Sequence, residues 1–304
     1  MPADIKARPS GNDDARAKKM QELFSRIEAG VSGVFTNDNY RSYLRTMAKF
    51  HRYSARNCLL IHFQRPEATM VAGFDAWKKK FHRHVLAGEK GITIIGYALK
   101  SSTLKKPLRD EKGDPVIGDD GKPAIEYVKH SYPVYFPVYV YDVSQTEGEP
   151  LPQLVHDLEG DVASYQDFLA SCRKLSPYPI EFENIASPNV RGYCSFEEQR
   201  IVVRSGLSQV QTAKTVLHEI THAILHNEGD AKTRAEKELE AESAAFVICS
   251  HYGIDTSEYT FPYLASWCRQ ERDKLERCLD AIQKHAFSVI EQLDASMLEL
   301  EKAK

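Results

Sequence analysis

Residues 216–226 decide the fold of the second half of this chain and read Val216-Leu217-His218-Glu219-Ile220-Thr221-His222-Ala223-Ile224-Leu225-His226. They contain the pattern H-E-x-x-H. On a helix, His218 and His222 lie one turn apart on one face, so both imidazoles can bind one tetrahedral Zn²⁺ at roughly 2.0–2.1 Å. Glu219 lies beside that face, where it can act as general base on a water at the metal without being a ligand.

Other residues of the same stretch predict which side of the helix is buried. Leu217, Ile220 and Ile224 recur at helical spacing on a different face, which we expect to pack inside the protein. Three fixed letters also occur by chance, so the alternative is an amphipathic helix whose histidines lie near solvent. A third ligand and a neighbouring strand in the sequence favour the metal site.

A catalytic zinc site of this class has three protein ligands and an open fourth position. Glu242 is the predicted third ligand, because it lies where a polar helix becomes apolar and small residues surround it. Glu238, one turn earlier, is the second candidate. Glu240 points elsewhere and, with Glu236 and Glu238, is typical of a solvated acidic face. His226 lies one turn beyond His222 and either orients that ligand or closes the site as a fourth ligand.

Two short strands around a polar turn are predicted before the metal helix, at 192–195 and 201–204. A strand beside such a helix can bind an extended peptide by strand addition. An oxyanion donor is also required for peptide hydrolysis. Tyr193, His251 and Tyr252 are candidates, but each is at least as typical of a structural role.

The length of the chain suggests two domains. The layout predicted for the 304 residues is a disordered tail at 1–15, a first domain at 16–145, a linker at 146–159, a second domain at 160–265 and a helical segment at 266–304. Both domains are predicted to be α+β. The linker is rich in Gly, Pro and Glu. The apolar stripe of the last segment packs either on the second domain or on a second copy.

Charge is distributed unevenly along the chain. Residues 41–110 carry a net charge of +11, whereas residues 146–304 carry −11. This asymmetry predicts that the first half contacts a polyanion. No apolar run is long enough for a bilayer, and the six cysteines form no short-range pairs, so we expect a cytoplasmic protein with reduced thiols that does not enter a membrane.

The basic half interleaves cations with aromatic rings, the combination that single-stranded nucleic acid sites use for phosphates and bases. Phe74 and Trp77 are nevertheless more typical of a core, since their spacing forms an apolar stripe, and Lys78–Lys80 could be a solvated helix end. The candidate DNA-binding residues are Arg52, Tyr53, Arg56, Asn57, Trp77, Lys78, Lys79, Lys80, Arg83 and Lys90.

Several blocks resemble known families. Tyr53-Ser54-x-x-Asn57, Phe74-x-x-Trp77 and Val85-x-x-Gly88-Glu89-Lys90-Gly91 resemble the N-terminal single-stranded-DNA-binding domain of ArdC-type and LtrC-like antirestriction proteins of conjugative elements. His218-Glu219-x-x-His222-x-x-Leu225-His226 is similar to zinc peptidases of the ImmA/IrrE type, and Glu242 matches their third ligand. This resemblance implies a minimal zincin-like domain and a protein of mobile DNA that protects an incoming strand from restriction.

Three functional hypotheses follow. The first is a DNA-binding zinc metallopeptidase of a mobile element, with one Zn²⁺ per chain, Glu219 as the catalytic base and an unknown protein substrate. The second is a non-catalytic protein that binds and protects single-stranded DNA and whose zinc domain is structural. The third is an ImmA-like peptidase that cuts a repressor and has no affinity for DNA.

Overall fold

The computed structural model describes residues 11–33, 37–110, 113–117, 121–151, 162–226, 229, 231–255, 261 and 272–303. Within these ranges the helices are α1 (Gly11–Gly33), α2 (Asn37–Lys49), α3 (Ala55–Gln64), α4 (Phe74–Lys80), α5 (Val162–Leu175), α6 (Gln209–Leu225), α7 (Arg234–His251) and α8 (Arg272–Lys302). The strands are β1 (Val71–Gly73), β2 (Arg83–Val85), β3 (Ile92–Pro107), β4 (Ile125–Asp142), β5 (Thr146–Gly148), β6 (Ile180–Glu183), β7 (Gly192–Ser195) and β8 (Arg200–Arg204).

The chain divides into two compact units, one of Met1–Leu23 with Thr93–Val138 and one of Phe24–Ile92 with Tyr139–Lys304. The first unit holds most of the hairpin β3–β4. Gly96 is required there, because a Cβ at that position would lie 2.8 Å from Val138 Cγ1. The segment between the two strands, which is loop-like in the sequence, contains the antiparallel bridges Arg109↔Pro115 and Ile117↔Pro123.

The second unit is built around helices α6, α7 and α8, with α7 packed between the other two. A sheet of order β6-β8-β7 lies against α6, with β6 parallel and β7 antiparallel to β8. All three central residues of β8, Ile201, Val202 and Val203, are fully buried, because a central strand between two neighbours has apolar contacts on both faces. The predicted pair of strands around a polar turn is confirmed.

Helices α2 and α3 also belong to this second core. The Tyr40 hydroxyl on α2 lies 2.8 Å from the Ser243 hydroxyl on α7, and the Tyr40 ring contacts Phe261 edge-to-face at 4.9 Å. Gln283 of α8 donates to the carbonyl of His51 at 2.7 Å. The core that surrounds α7 therefore takes helices from both sides of the linker predicted at 146–159.

Several predicted segments differ in detail. Residues 146–148 of the predicted linker form β5, which pairs with β2, and 152–159 lie outside the described residues. Most of the predicted tail, 1–10, also lies outside, whereas 11–15 begin α1. From Arg272 the C-terminal segment is one long helix whose apolar stripe packs on α5 and α7 of the same chain. No helix in the described ranges is both long and apolar enough to span a bilayer.

Candidate metal centre

Helix α6 presents the H-E-x-x-H residues at the edge of the second core. The hydroxyl of Ser208 caps the helix by accepting the Gln211 N–H. Leu217 and Ile220 are fully buried, as predicted, but Ile224 is 43% exposed, because the helix ends one residue later at Leu225 and leaves the core there. The predicted buried face is therefore confirmed for the middle of the helix and wrong for its end.

Three potential ligands converge on one point. The Nε2 atoms of His218 and His222 are 3.0 Å apart, and Oε2 of Glu238 lies 3.6 Å from the first and 3.8 Å from the second. Donors that share one tetrahedral zinc ion are about 3.3 Å from one another. Two imidazoles and one carboxylate are also the donor set of a catalytic zinc site. Both the spacing and the chemistry of these side chains fit a divalent metal ion.

Glu242, the predicted third ligand, contacts the opposite side of the same imidazole. Its Oε2 lies 3.1 Å from Nδ1 of His218, not from the Nε2 atom that faces His222. The group of three donors within 4.8 Å of one another consists of His218, His222 and Glu238. Glu242 as a ligand therefore stays a prediction, and the geometry favours Glu238, the second candidate.

His226 continues the line of imidazoles away from the metal position. Its Nδ1 lies 2.9 Å from Nδ1 of His222, and its Nε2 lies 2.9 Å from Oε2 of Glu240, which Lys232 also contacts at 2.7 Å. Both ring nitrogens of His226 are thus engaged with protein atoms. This arrangement orients His222 through a second imidazole and leaves His226 no nitrogen to act as a fourth ligand.

Glu240 was expected in a solvated acidic face, and this interpretation is wrong. The residue is only 3% exposed, because it faces His226 and Lys232 in the interior. A buried carboxylate is stable only when it is paired, and the two cationic or hydrogen-bonding partners supply that pairing.

Burial and neighbouring charges set the protonation of the site. Burial raises the pKa of Glu219 to about 7, in the range that suits a general base near neutral pH. Burial, assisted by His218, lowers the pKa of His222 to about 3 and keeps that imidazole neutral. Burial alone would lower the pKa of His218, but Glu238 and Glu242 outweigh it and raise the value to about 10. A metal ion at this position would therefore displace a proton from His218.

Strand β7 borders the site and is the edge strand of its sheet. The backbone N–H of Cys194 donates to the Glu219 carboxylate. Gly192 allows this close approach, since a Cβ there would lie 2.6 Å from Thr215 Cγ2 and 3.4 Å from Glu219 Cγ. The strand thus holds the Glu219 carboxylate in place with one N–H, and among the described residues its outer edge pairs with no other strand.

A cavity of about 850 Å³ opens at this edge and is lined by the candidate ligands, Glu219 and strand β7. Basic side chains also line it, namely Arg191, Lys214 and Arg234. None of the three was predicted from the sequence. Lys214 lies one turn before His218 on the same helix, which is the signal that could have identified it.

The three candidate oxyanion donors are separated by the structure. Tyr193 lines the cavity and is 37% exposed. Tyr252 is fully buried and donates to Asp294 at 2.8 Å, and Nδ1 of His251 lies 3.2 Å from the Ala48 carbonyl. His251 and Tyr252 therefore serve the packing of α7 against α8 and α2, and Tyr193 stays the candidate.

The structure separates Phe74 and Trp77, both of which the sequence makes more typical of a core, and it contradicts Trp77 as a DNA-binding candidate. Trp77 is fully buried and donates from Nε1 to the Tyr141 carbonyl at 2.9 Å, so it offers no face to a base. Asn57 is also buried, in the first turn of α3. Phe74, expected in the core, is 54% exposed. Helix α4 has only seven residues, and it turns Trp77 inward and Phe74 outward.

Three of the seven predicted cationic contacts have partners within the protein. Arg52 pairs with Glu291, and Arg56 pairs with Glu276. Arg83 donates to the carbonyls of Thr146 and Glu149. The Tyr53 hydroxyl donates to the Val71 carbonyl at 3.3 Å. The candidates whose side chains are exposed and for which no such contact is seen are Lys78, Lys79, Lys80 and Lys90.

Comparisons with known proteins agree with this architecture. Residues 13–141 match the N-terminal domain of the anti-restriction factor ArdC, and residues 177–262 match the IrrE N-terminal-like domain, a metallopeptidase-like family. The metal-free crystal structure of the antirestriction protein ArdC from plasmid R388 is 20% identical, with a TM-score of 0.51 over 81% of this chain and 86% of that one. A Mn(II)-bound structure of the same protein is 18% identical, with a TM-score of 0.46 over 81% of this chain and 85% of that one.

A curated relative also matches nearly the whole chain. It is an uncharacterized protein, pXO2-81, of Bacillus anthracis, 26% identical over 312 residues. The match covers 94% of this chain and 53% of the relative, so the chain spans about half the length of the relative that it matches. The predicted fold class, α+β with two domains, is confirmed by the family matches and the ArdC-like fold.

Proposed function

The chain belongs to the family of the anti-restriction factor ArdC, joining its N-terminal domain to an IrrE-like domain, and from this premise we propose that it protects incoming single-stranded DNA of a mobile element and hydrolyses peptide bonds. The observation that carries the proposal is the group His218, His222 and Glu238, with Glu219 beside it, on the wall of a cavity bordered by an edge strand.

The proposed cofactor is one Zn²⁺ per chain. His218, His222 and Glu238 would hold it at the wall of the cavity. When bound, such an ion polarises a carbonyl oxygen and acidifies a water. A purely structural zinc site would be closed by a fourth protein ligand. The nearest further imidazole, His226, is engaged with His222 and Glu240, which supports the open, catalytic form.

The chain's own residues then have distinct tasks. The outer edge of β7 binds the substrate as an extended strand, which places a peptide carbonyl beside the ligands. Glu219 takes the proton of the attacking water and later gives it to the leaving amine; its pKa of about 7 suits both transfers. Tyr193 is positioned to donate a hydrogen bond to the oxygen that becomes negative.

The proposed partner of the N-terminal domain is single-stranded DNA. The net charge of +11 over residues 41–110 supports a polyanion, and the family name of the domain associates it with antirestriction. The chain spans about half of its curated relative, and the proposed substrate of the second domain is an extended peptide.

The test of hydrolysis compares wild type with Glu219→Gln, using a library of quenched fluorescent peptides and protein loaded with Zn²⁺ or Mn²⁺. We expect cleavage by wild type and a loss of roughly 10²- to 10⁴-fold in the variant, because the base is removed. Metal stoichiometry, measured by mass spectrometry, stays at one per chain in both. Glu197→Gln, on the exposed turn between β7 and β8, is the matched control.

Two outcomes would contradict this function. Cleavage retained by Glu219→Gln would mean that another group is the base or that a contaminant cleaves the peptides. Absence of cleavage by metal-loaded wild type, together with tight binding of single-stranded DNA, would favour the protective protein with a structural metal domain.

A further inference from the structure

The β3–β4 hairpin exposes large apolar side chains along its length. Tyr97, Leu99, Tyr127 and Tyr135 are 67%, 68%, 66% and 57% exposed. Single exposed apolar residues are ordinary on a protein surface, but several along one ribbon indicate a surface that binds something.

Cross-strand contacts show that these residues share one face. The rings of Tyr97 and Tyr135 lie 6.4 Å apart, the hydroxyls of Ser101 and Ser131 lie 3.3 Å apart, and Nζ of Lys105 lies 5.7 Å from the centre of the Tyr127 ring. Each pair joins odd-numbered positions. Because side chains alternate between the two faces of a strand, the odd-numbered residues of both strands lie on the same face. We define the tyrosine–lysine face as Tyr97, Leu99, Lys105, Tyr127, Lys129 and Tyr135.

The charge of the ribbon complements a polyanion. The two strands within the first unit, 93–107 and 125–138, contain four lysines and one acidic residue, Glu126. Two of those lysines, Lys105 and Lys129, lie on the tyrosine–lysine face. The segment from Tyr97 to Lys105 extends over roughly 26 Å, at about 3.3 Å per residue. Rings and cations thus share one face over the length of several nucleotides.

We propose that the tyrosine–lysine face is the surface that binds single-stranded DNA, with bases stacked on Tyr97, Tyr127 and Tyr135 and phosphates near Lys105 and Lys129. This inference rests on the proposed DNA partner. Flat rings can stack on bases only where these are unpaired, so the face suits a single strand and not a duplex. The arginines predicted elsewhere, Arg52, Arg56 and Arg83, hold protein partners instead.

The test measures the affinity of full-length protein for a fluorescent oligothymidine by anisotropy across a salt series. Tyr97→Ala, Tyr127→Ala and Tyr135→Ala are each expected to weaken binding roughly five- to hundredfold, because a stacked ring is lost. Tyr135→Phe keeps the ring and is expected to bind as wild type does. Lys105→Gln and Lys129→Gln should each reduce the slope of log affinity against log salt by about 0.7.

Tyr132→Ala is the matched control, since Tyr132 lies on the opposite face of the same strand and is 40% exposed. Unchanged binding by the three alanine variants, with binding lost in the triple change of Lys78, Lys79 and Lys80 to Gln, would overturn this inference and leave the proposed function standing. Wild type that binds no oligothymidine would remove the DNA partner itself. An equal loss of affinity for oligothymidine in Tyr132→Ala would also overturn the inference about the tyrosine–lysine face. Unfolding midpoints of all variants show whether the fold is retained.

Discussion

The three glutamates Glu238, Glu240 and Glu242 show what spacing can resolve at the scale of single residues. On a helix, positions four apart share a face, whereas the position between them points away. The sequence therefore indicates that Glu238 and Glu242 face α6 and that Glu240 does not. Which of the first two reaches the Nε2 atoms depends on how closely α7 approaches α6, and in the structure Glu238 does so.

Exchange of each carboxylate for an amide separates these roles. We expect Glu238→Gln to weaken Zn²⁺ binding by more than roughly a hundredfold, because a charged ligand is lost. Glu242→Gln is expected to weaken it by at most roughly a hundredfold, because Glu242 contacts His218 and only orients that ligand. Competition with a chromophoric chelator measures both affinities. The reverse order would identify Glu242 as the third ligand.

At the scale of elements, the end of β4 depends on one buried carboxylate. Asp142 accepts the backbone N–H of Thr69 at 2.8 Å and of Ser144 at 3.0 Å, and its own N–H donates to Gln145 at 3.0 Å. Burial alone would raise the pKa of Asp142, but the hydrogen bonds from Ser144, Thr69 and Met70 outweigh it and lower the pKa below its usual range. Asp142 thus joins the segment before β1 to the end of β4.

Asp142→Asn is expected to reduce the free energy of unfolding by about 1–3 kcal/mol at neutral pH, since one acceptor oxygen and its charge are lost. The folded pKa of Asp142 is lower than the unfolded one, so its contribution is full above about pH 4 and is lost as pH falls through the folded value. Urea unfolding at several pH values should therefore show the difference from wild type shrinking below about pH 4. Glu126→Gln, at an exposed position of the same strand, is the control; an equal effect there would contradict the assignment.

At the scale of the whole molecule, the second core is shared between helices that the sequence assigns to different domains. Tyr40, Tyr43, Leu44 and Met47 of α2 are fully buried, and α2 packs on α7, which carries Glu238. A domain whose ligand helix packs on a preceding segment depends on that segment for its apolar contacts.

A fragment of residues 162–304 is therefore expected not to fold cooperatively, because α7 would expose the surface that α2 covers and α8 the surface that α3 covers. The full chain is expected to show a single cooperative transition for this core and to bind Zn²⁺. Near-ultraviolet circular dichroism and binding of a hydrophobic dye compare the two. Tyr40→Phe in the full chain is the mild control, expected to cost about 0.5–1.5 kcal/mol through loss of one hydrogen bond. A fragment with native-like stability would contradict the shared core.

The sequence by itself determined the helix that carries H-E-x-x-H, the strands β7 and β8 and the family of each domain. These features depend on local spacing and on periods of two or 3.6 residues, which any reader of the sequence can measure. Only the tertiary structure decided that Glu238 lies nearer the Nε2 atoms than Glu242, that Glu240 is buried against His226, and that Phe74 is exposed. It also decided that α2 packs on α7 and α3 packs on α8 to complete the second core. The physical reason is that burial and ligand distance depend on which elements meet, and residues 203 positions apart, such as Tyr40 and Ser243, have no local pattern that records their contact.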